Sequence, residues 1–142
     1  VLLALSIPGS TFIARAYSGQ PAQLLNLTIA ALKHTAAGYG MAYLEVLSPC
    51  VTYNDTYREW RTNVYNIDDD ADYDRKDRAA AFTRMIDLRE QGRLPLGLIY
   101  EGEGPALEKL ACNPAFDPPA RQDISDPSLV DGYREALQSF IK

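Results

Sequence analysis

The sequence predicts an α/β fold built around a parallel pair of strands, and three observations carry the prediction. Thr11 to Ala16 (Thr-Phe-Ile-Ala-Arg-Ala) has the composition of a short strand entered from the Pro8-Gly9 turn. Met41 to Leu47 (Met-Ala-Tyr-Leu-Glu-Val-Leu) is almost unbroken in apolar residues, the pattern of a strand covered on both faces. Between them the apolar residues recur with helical period. A strand, helix, strand succession of this length forms a βαβ unit, so the two strands run parallel with a right-handed crossover.

Each element has local grounds. Ser18-Gly19-Gln20-Pro21 opens the helix, with Pro21 placed where its missing N–H costs nothing. Leu24, Leu25, Thr28, Ile29, Leu32 and Ala36 then form one apolar stripe, and Gly38 and Gly40 end the helix. His34 falls near the helix C-terminus, where a protonated imidazole gains from the dipole, so it reads as a surface or capping residue. Tyr57, Trp60 and Val64 make a core-packing stripe on a helix from Thr56 to Tyr65, with an intersubunit contact as the other use of its aromatics.

A second helix is predicted from Arg75 to Glu90, with Phe82, Met85, Ile86 and Arg89 on one face and Gly92 at its end. Leu94 to Tyr100 supplies another strand, assigned to a sheet edge because it contains Pro95 and Gly97. Beyond Gly104 the chain is rich in Pro, Asp and Ala until a last amphipathic stretch, Leu129 to Ile141.

At 142 residues the chain has room for one modest core. Its formal charge of −5 argues against a nucleic-acid-binding surface. No apolar run is long enough to cross a bilayer, and Val1 to Ile7 lacks the basic flank and cleavage site of a signal peptide. The chain opens on Val1 inside an apolar run with no cap or turn before it, which predicts a piece of something longer. Two cysteines are too few for a disulfide scaffold, so the expected location is the cytoplasm.

Cys50 is the sharpest candidate for chemistry. Ligands of parallel α/β sheets collect beyond the carboxyl ends of the strands. Here those ends are Tyr17-Ser18-Gly19 and Ser48-Pro49-Cys50-Val51-Thr52-Tyr53-Asn54. From residue type alone Cys50 reads as a buried structural cysteine. With Pro49 fixing the backbone before it, a thiolate at that edge could also bind a soft metal such as cluster iron. A four-iron cluster takes four thiolates, and Cys112 sits in what reads as a distant loop, so further ligands would have to lie outside this sequence.

The alternating Asp68, Asp70, Asp72 and Asp74 begin like a calcium loop. Tyr73 stands where Gly is needed and Ala79 where the bidentate Glu is needed, which leaves a solvated loop with a helix cap. No glycine-rich phosphate loop, Ser/His/Asp set or paired-carboxylate site is present in the sequence.

Gly9 to Arg15, Ser18-Gly19-Gln20-Pro21 and Ser48 to Asn54 together resemble the β subunits of 2-oxoacid:ferredoxin oxidoreductases. Thr56-Tyr57-Arg58-Glu59-Trp60, Asp77-Arg78-Ala79-Ala80-Ala81 and Leu94 to Tyr100 continue the likeness in the same order, over roughly the first hundred residues.

The resemblance implies part of a thiamine-diphosphate-binding α/β fold with a parallel sheet, followed by a C-terminal extension. Residues 1–54 would be the end of the thiamine domain, 55–104 the extension, and 105–142 an unrecognised tail with a terminal helix. It implies oxidative decarboxylation of a 2-oxoacid, with electrons passed through a [4Fe–4S] cluster to ferredoxin and the acyl group taken by coenzyme A. The implied partners are an α subunit and the remainder of the β subunit. Cys50 matches the last cluster cysteine, and Ser-Pro-Cys-Val-Thr-Tyr-Asn is closer to the 2-oxoglutarate and broad 2-oxoacid members than to the pyruvate members.

The Cys-x-x-Cys pair, the third cluster ligand and the Gly-Asp-Gly segment with its Asn for magnesium and diphosphate are absent from this sequence. The chain alone is therefore expected to be inactive. A non-catalytic α/β interaction module, and another thiamine-dependent decarboxylase without iron, are the competing readings.

Overall fold

A computed structural model describes residues 1–111, 123 and 125–141. The chain divides into two compact units, Val1–Leu107 and Glu108–Lys142.

The first unit is a sheet with helices on both faces. It begins with a single helical turn, α1 (Leu2–Leu5), then β1 (Ser10–Tyr17), α2 (Pro21–Ala36) and β2 (Met41–Leu47). The expected βαβ unit is present, with β1 and β2 parallel and paired from Ser10↔Met41 to Tyr17↔Leu47. α3 (Tyr57–Asn63), β3 (Val64–Asn66) and a 3-10 turn (Ile67–Asp69) lead to α4 (Arg78–Glu90) and β4 (Leu94–Glu101). The sheet order is β2-β1-β4-β3.

β4 runs antiparallel to β1 and parallel to β3, so the sheet is mixed although two of its pairings are parallel. This corrects the edge assignment of Leu94 to Tyr100: β4 lies inside the sheet and its middle is buried. The two residues that argued for an edge are accommodated locally. The β1 ladder takes only Gly97 to Glu101, so Pro95 lies beyond it and needs no amide on that side. Gly97 has φ +111°, and a Cβ there would stand 2.6 Å from the Asp68 carboxylate.

Alternation along β1 separates two cores. Phe12, Ala14 and Ala16 pack with Leu27 of α2 and Leu98. Ile13 packs with α1, with Ala81, Met85 and Leu88 of α4, and with Ile67 and Ile99. The buried face of α4 is thus Ala81–Met85–Leu88, one position round from the expected Phe82–Met85–Ile86–Arg89. Phe82 is left exposed.

The stripe expected to bury α2 is corrected more severely. Leu27 and His34 are the buried residues of the helix, while Leu25 and Leu32 are 60% and 64% exposed. β2 is likewise a half-exposed edge strand and not one covered on both faces. His34 is no surface cap. It is buried against Phe12 and Tyr39, with Nε2 2.9 Å from Thr11 Oγ1. The Thr11 hydroxyl also lies 3.1 Å from Met41 O, to which it can donate. Thr11 can reach both groups because it is the extra residue of a bulge between Ser10 and Phe12.

The acidic stretch is the expected solvated loop with a helix cap, its Asp68, Asp69, Asp72 and Asp74 exposed, and some of its acids also brace the fold. Asp68 accepts from Leu98 N–H, and Asp77 caps α4 through the amides of Ala79 and Ala80. Burial pushes the Tyr73 hydroxyl up to about 12, so it stays protonated and donates to Ile99 O. Asp70 receives Arg84 at 2.7 Å and the Tyr65 hydroxyl at 3.0 Å. The Tyr65 hydrogen bond, then Arg84, hold the Asp70 carboxyl below its ordinary value.

A depressed carboxylate stabilises the fold above its unfolded value of about 3.9, and that contribution is lost as pH falls through the folded value. Asp70→Asn should therefore lower the melting temperature at pH 7 and flatten its fall as pH drops below the ordinary carboxylate value of about 3.9. An unchanged acid limb in thermal melts would show that Asp70 titrates normally.

In the second unit, α6 (Pro127–Ser139) follows α5 (Leu107–Ala111) in chain order and is capped by Asp126 on the Ser128 amide. It contains most of the expected Leu129–Ile141 stretch, and Val130, Tyr133 and Leu137 on it are exposed.

Candidate functional site

The carboxyl ends of β1 and β2 are fastened together by Ser18 N–H donating to Leu47 O at 2.9 Å. Beyond β2 the chain turns through Val51–Tyr53 and closes with Asn54 N–H on Cys50 O at 2.8 Å, forming an isolated bridge between Cys50 and Asn54. Cys50 is thus where the βαβ reading puts it, past the carboxyl edge, and it is exposed rather than buried in a core.

The local backbone gives the thiol its character. Hydrogen bonds from the backbone of Tyr53 and then Thr52, with a smaller one from Asn54, hold the Cys50 thiol below its ordinary value. Converging amides stabilise negative charge on sulfur, and the thiolate is both the nucleophilic and the metal-binding form. Alkylation of Cys50 in this chain, followed by peptide mapping against pH, should show a midpoint below the ~8.5 of a free cysteine. A midpoint at or above that value would remove the amide effect.

An aromatic group buttresses the same edge. Tyr17 is fully buried and packs its ring against Tyr57 at 5.7 Å and Trp60 at 6.0 Å. Its hydroxyl donates to Tyr57 O, and the Tyr57 hydroxyl lies 3.0 Å from Ser18 Oγ. Of the expected Tyr57–Trp60–Val64 stripe, Tyr57 and Trp60 pack against Tyr17 while staying partly exposed, and tie α3 to the end of β1, whereas Val64 falls in β3. Gly19 is required here, since a Cβ at that position would run into the Tyr17 ring. The hydroxyl pair of Ser18 and Tyr57 has no counterpart among the sequence expectations. Both residues stand out in the sequence, but pairing across the intervening α2–β2 excursion leaves no periodic signal.

Among the described residues no group of three or more His, Cys, Asp or Glu is arranged to hold a metal. Cys50 fits a metal cluster as a single thiolate donor and no more. The acids of Asp68–Asp77 do not fit a magnesium site, because the ones nearest the fold are engaged by Arg84, Tyr65 and backbone amides. Cys112 lies outside the described residues. No helix among the described residues is long and apolar enough to cross a membrane.

Comparison with known proteins adds to this geometry. Residues 50–113 match the family described as the C terminal of the pyruvate ferredoxin oxidoreductase beta subunit, a match that begins at Cys50 itself. Over 94% of this chain the sequence is 35% identical to the beta subunit of 2-oxoacid:ferredoxin oxidoreductase 1 of Aeropyrum pernix, covering 47% of that protein. Over 72% of the chain it is 35% identical to the 2-oxoacid:ferredoxin oxidoreductase subunit beta of a Sulfolobus species, covering 35% of it. The corresponding protein of Saccharolobus solfataricus is 30% identical over the same share. The chain spans less than half the length of each of these relatives. With the α/β frame, the Cys50 loop and these likenesses in agreement, the chain belongs to the 2-oxoacid:ferredoxin oxidoreductase β-subunit family and corresponds to its C-terminal portion.

Proposed function

We propose that this chain is the distal part of a β subunit that works with an α subunit in the oxidative decarboxylation of a 2-oxoacid to an acyl-coenzyme A. 2-Oxoglutarate is the favoured substrate and ferredoxin the electron acceptor. The observation that carries the reading is Cys50: an exposed thiol past the carboxyl edge of a parallel strand pair, favoured as thiolate by the amides of Tyr53 and Thr52. A [4Fe–4S] cluster, when bound, supplies one-electron transfer. In this proposal Cys50 provides one of its thiolates, and the other three come from outside the chain.

What the chain's own residues do is hold that donor. Pro49 and the Cys50–Asn54 turn fix its backbone, and the Tyr17–Tyr57–Trp60 packing fixes the strand end beside it. Thiamine diphosphate and magnesium have no donor set among the described residues and are assigned to the remainder of the subunit. A cluster thiolate and a ferredoxin partner suit a reducing compartment, so the proposed location is the cytoplasm.

The test is 2-oxoacid-dependent reduction of ferredoxin by the complete complex in the presence of coenzyme A, comparing 2-oxoglutarate with pyruvate. Turnover of 2-oxoglutarate at the higher kcat/KM is expected. No reduction with any 2-oxoacid would overturn the reading, and a preference for pyruvate would overturn the substrate assignment. The chain alone should bind neither thiamine diphosphate with magnesium in calorimetric titration nor stoichiometric iron.

A further inference from the structure

Among the described residues of the first unit, nothing covers the apolar surface left by the α2 helix and the β2 strand. Leu25, Ile29 and Leu32 fall one helical turn apart on α2 and are 60%, 42% and 64% exposed. β2 ends the sheet, so its outer N–H and C=O groups have no strand partner among the described residues. Ala42 and Leu44 pack toward α2, and alternation puts Val46, 43% exposed, on the same face.

Edge strands that face water are normally guarded by lysine, proline, a bulge or an inward charge. Met-Ala-Tyr-Leu-Glu-Val-Leu has only Glu45, and that carboxylate is already engaged by Arg15 Nε at 2.5 Å. An uncharged edge beside an uncharged ridge is suited to a permanent apolar contact and unsuited to a charge-steered, transient one.

The lengths of the relatives identify the occupant. The A. pernix protein matches 94% of this chain with only 47% of its own length, so more than half of it lies outside the match. That remainder is large enough to supply a strand and a covering layer. We propose that the β2 edge and the Leu25–Ile29–Leu32 ridge are the internal seam of the complete β subunit. There the part of the subunit outside this chain adds a strand alongside β2 and covers the ridge with apolar side chains. This rests on reading the chain as part of a longer β subunit.

The experiment places Leu25→Cys or Leu32→Cys in two proteins: this chain alone, and the complete β subunit with and without its α subunit. Thiol labelling by N-ethylmaleimide is read by peptide mapping, so that Cys50 is scored separately, with labelling in guanidinium as the full value. Both thiols should react freely in the chain alone and about 100-fold more slowly or less in the complete β subunit without α, as for sites reached only by local opening. Amide exchange of Tyr43–Leu47 in the unsubstituted proteins supplies a second measurement, with outer-edge amides slow only in the complete subunit.

Undiminished labelling and exchange in the complete β subunit would overturn the proposal. Protection that appears only with α would make α the occupant. Protection in the chain alone, with a doubled mass, would make a second copy the occupant. None of these readouts uses iron or thiamine. A protein protected at the seam but devoid of cluster would sink the proposed function alone, and a loaded enzyme open at the seam would sink this inference alone.

Discussion

Under the proposed role of Cys50 as a cluster thiolate, replacing it with Ala in the complete oxidoreductase is expected to cut electron transfer to ferredoxin by more than roughly 100-fold, the upper range for changes one shell further from a metal. The alanine removes a thiolate whose loop has no substitute donor: Val51, Thr52, Tyr53 and Asn54 offer no second soft ligand. Iron content should fall, and the electron paramagnetic resonance spectrum of the cluster that Cys50 is proposed to ligate should change or vanish. Carbon dioxide release in a first half-reaction should persist, because that step precedes the transfer of electrons. Cys112→Ala should leave iron unchanged. An unaltered cluster spectrum in the Cys50 variant would return Cys50 to an ordinary exposed cysteine on a tight turn.

The largest loss of stability is expected from Arg78→Ala. Arg78 opens α4, and its guanidinium donates to four backbone carbonyls: Leu5 O at 3.0 Å, Ile7 O at 2.9 Å, Pro8 O at 3.3 Å and Ser10 O at 2.6 Å. It also lies 4.1 Å over the Tyr100 ring. One side chain thereby joins the end of α1, the turn into β1, α4 and β4. Hydrogen bonds from a charged donor are each worth more than neutral ones, and carbonyls left unpaired carry a desolvation cost. After allowance for the partial exposure of the site, the loss should be about 3 kcal/mol, read as a lower urea midpoint at constant slope. Arg78→Lys should recover less than half, since three ammonium donors cannot span four carbonyls. A loss below about 1 kcal/mol would mean that water replaces these bonds at little cost.

The parts of the fold legible in sequence are those fixed by local chemistry. Pro21 marks the first residue of α2, and the apolar run of β2 marks its strand to the residue. The βαβ order then places Cys50 at the correct edge with no further information. What fails depends on neighbours. The periodicity of α2 contains two overlapping faces, and sequence alone favours the leucine-rich one that is exposed here. The apolar character of β2 likewise reports what the strand is suited to touch, not what lies beside it in this chain. His34 reads as a surface residue because its partner Thr11 owes its direction to a bulge, which has no residue signature here. β3 is three residues long, below the length at which alternation can be recognised.

At the candidate site the donor is readable and its setting is not. A Pro-Cys at a strand's end can be seen in the sequence. The amides that converge on the sulfur come from a turn of residues with no distinctive turn composition. The Ser18–Tyr57 contact joins residues on either side of a whole helix and strand.

The placement of β4 between β1 and β3 has a consequence for how the chain is made. Phe12 to Arg15 must wait for Gly97 to Glu101, so the sheet closes only when almost all of the first unit has left the ribosome. Pairings so distant in sequence are slow, because a long loop is ordered before any contact rewards it. During that wait the inner edge of β1 is bare, and a nascent chain stalled or cut before Leu94 would have a naked strand flanked by apolar cores. Such a species is a substrate for chaperones and proteases. Point changes that slow the arrival of β4, at Gly97 above all, should therefore reduce yield in the cell more than they reduce the stability of the protein that survives.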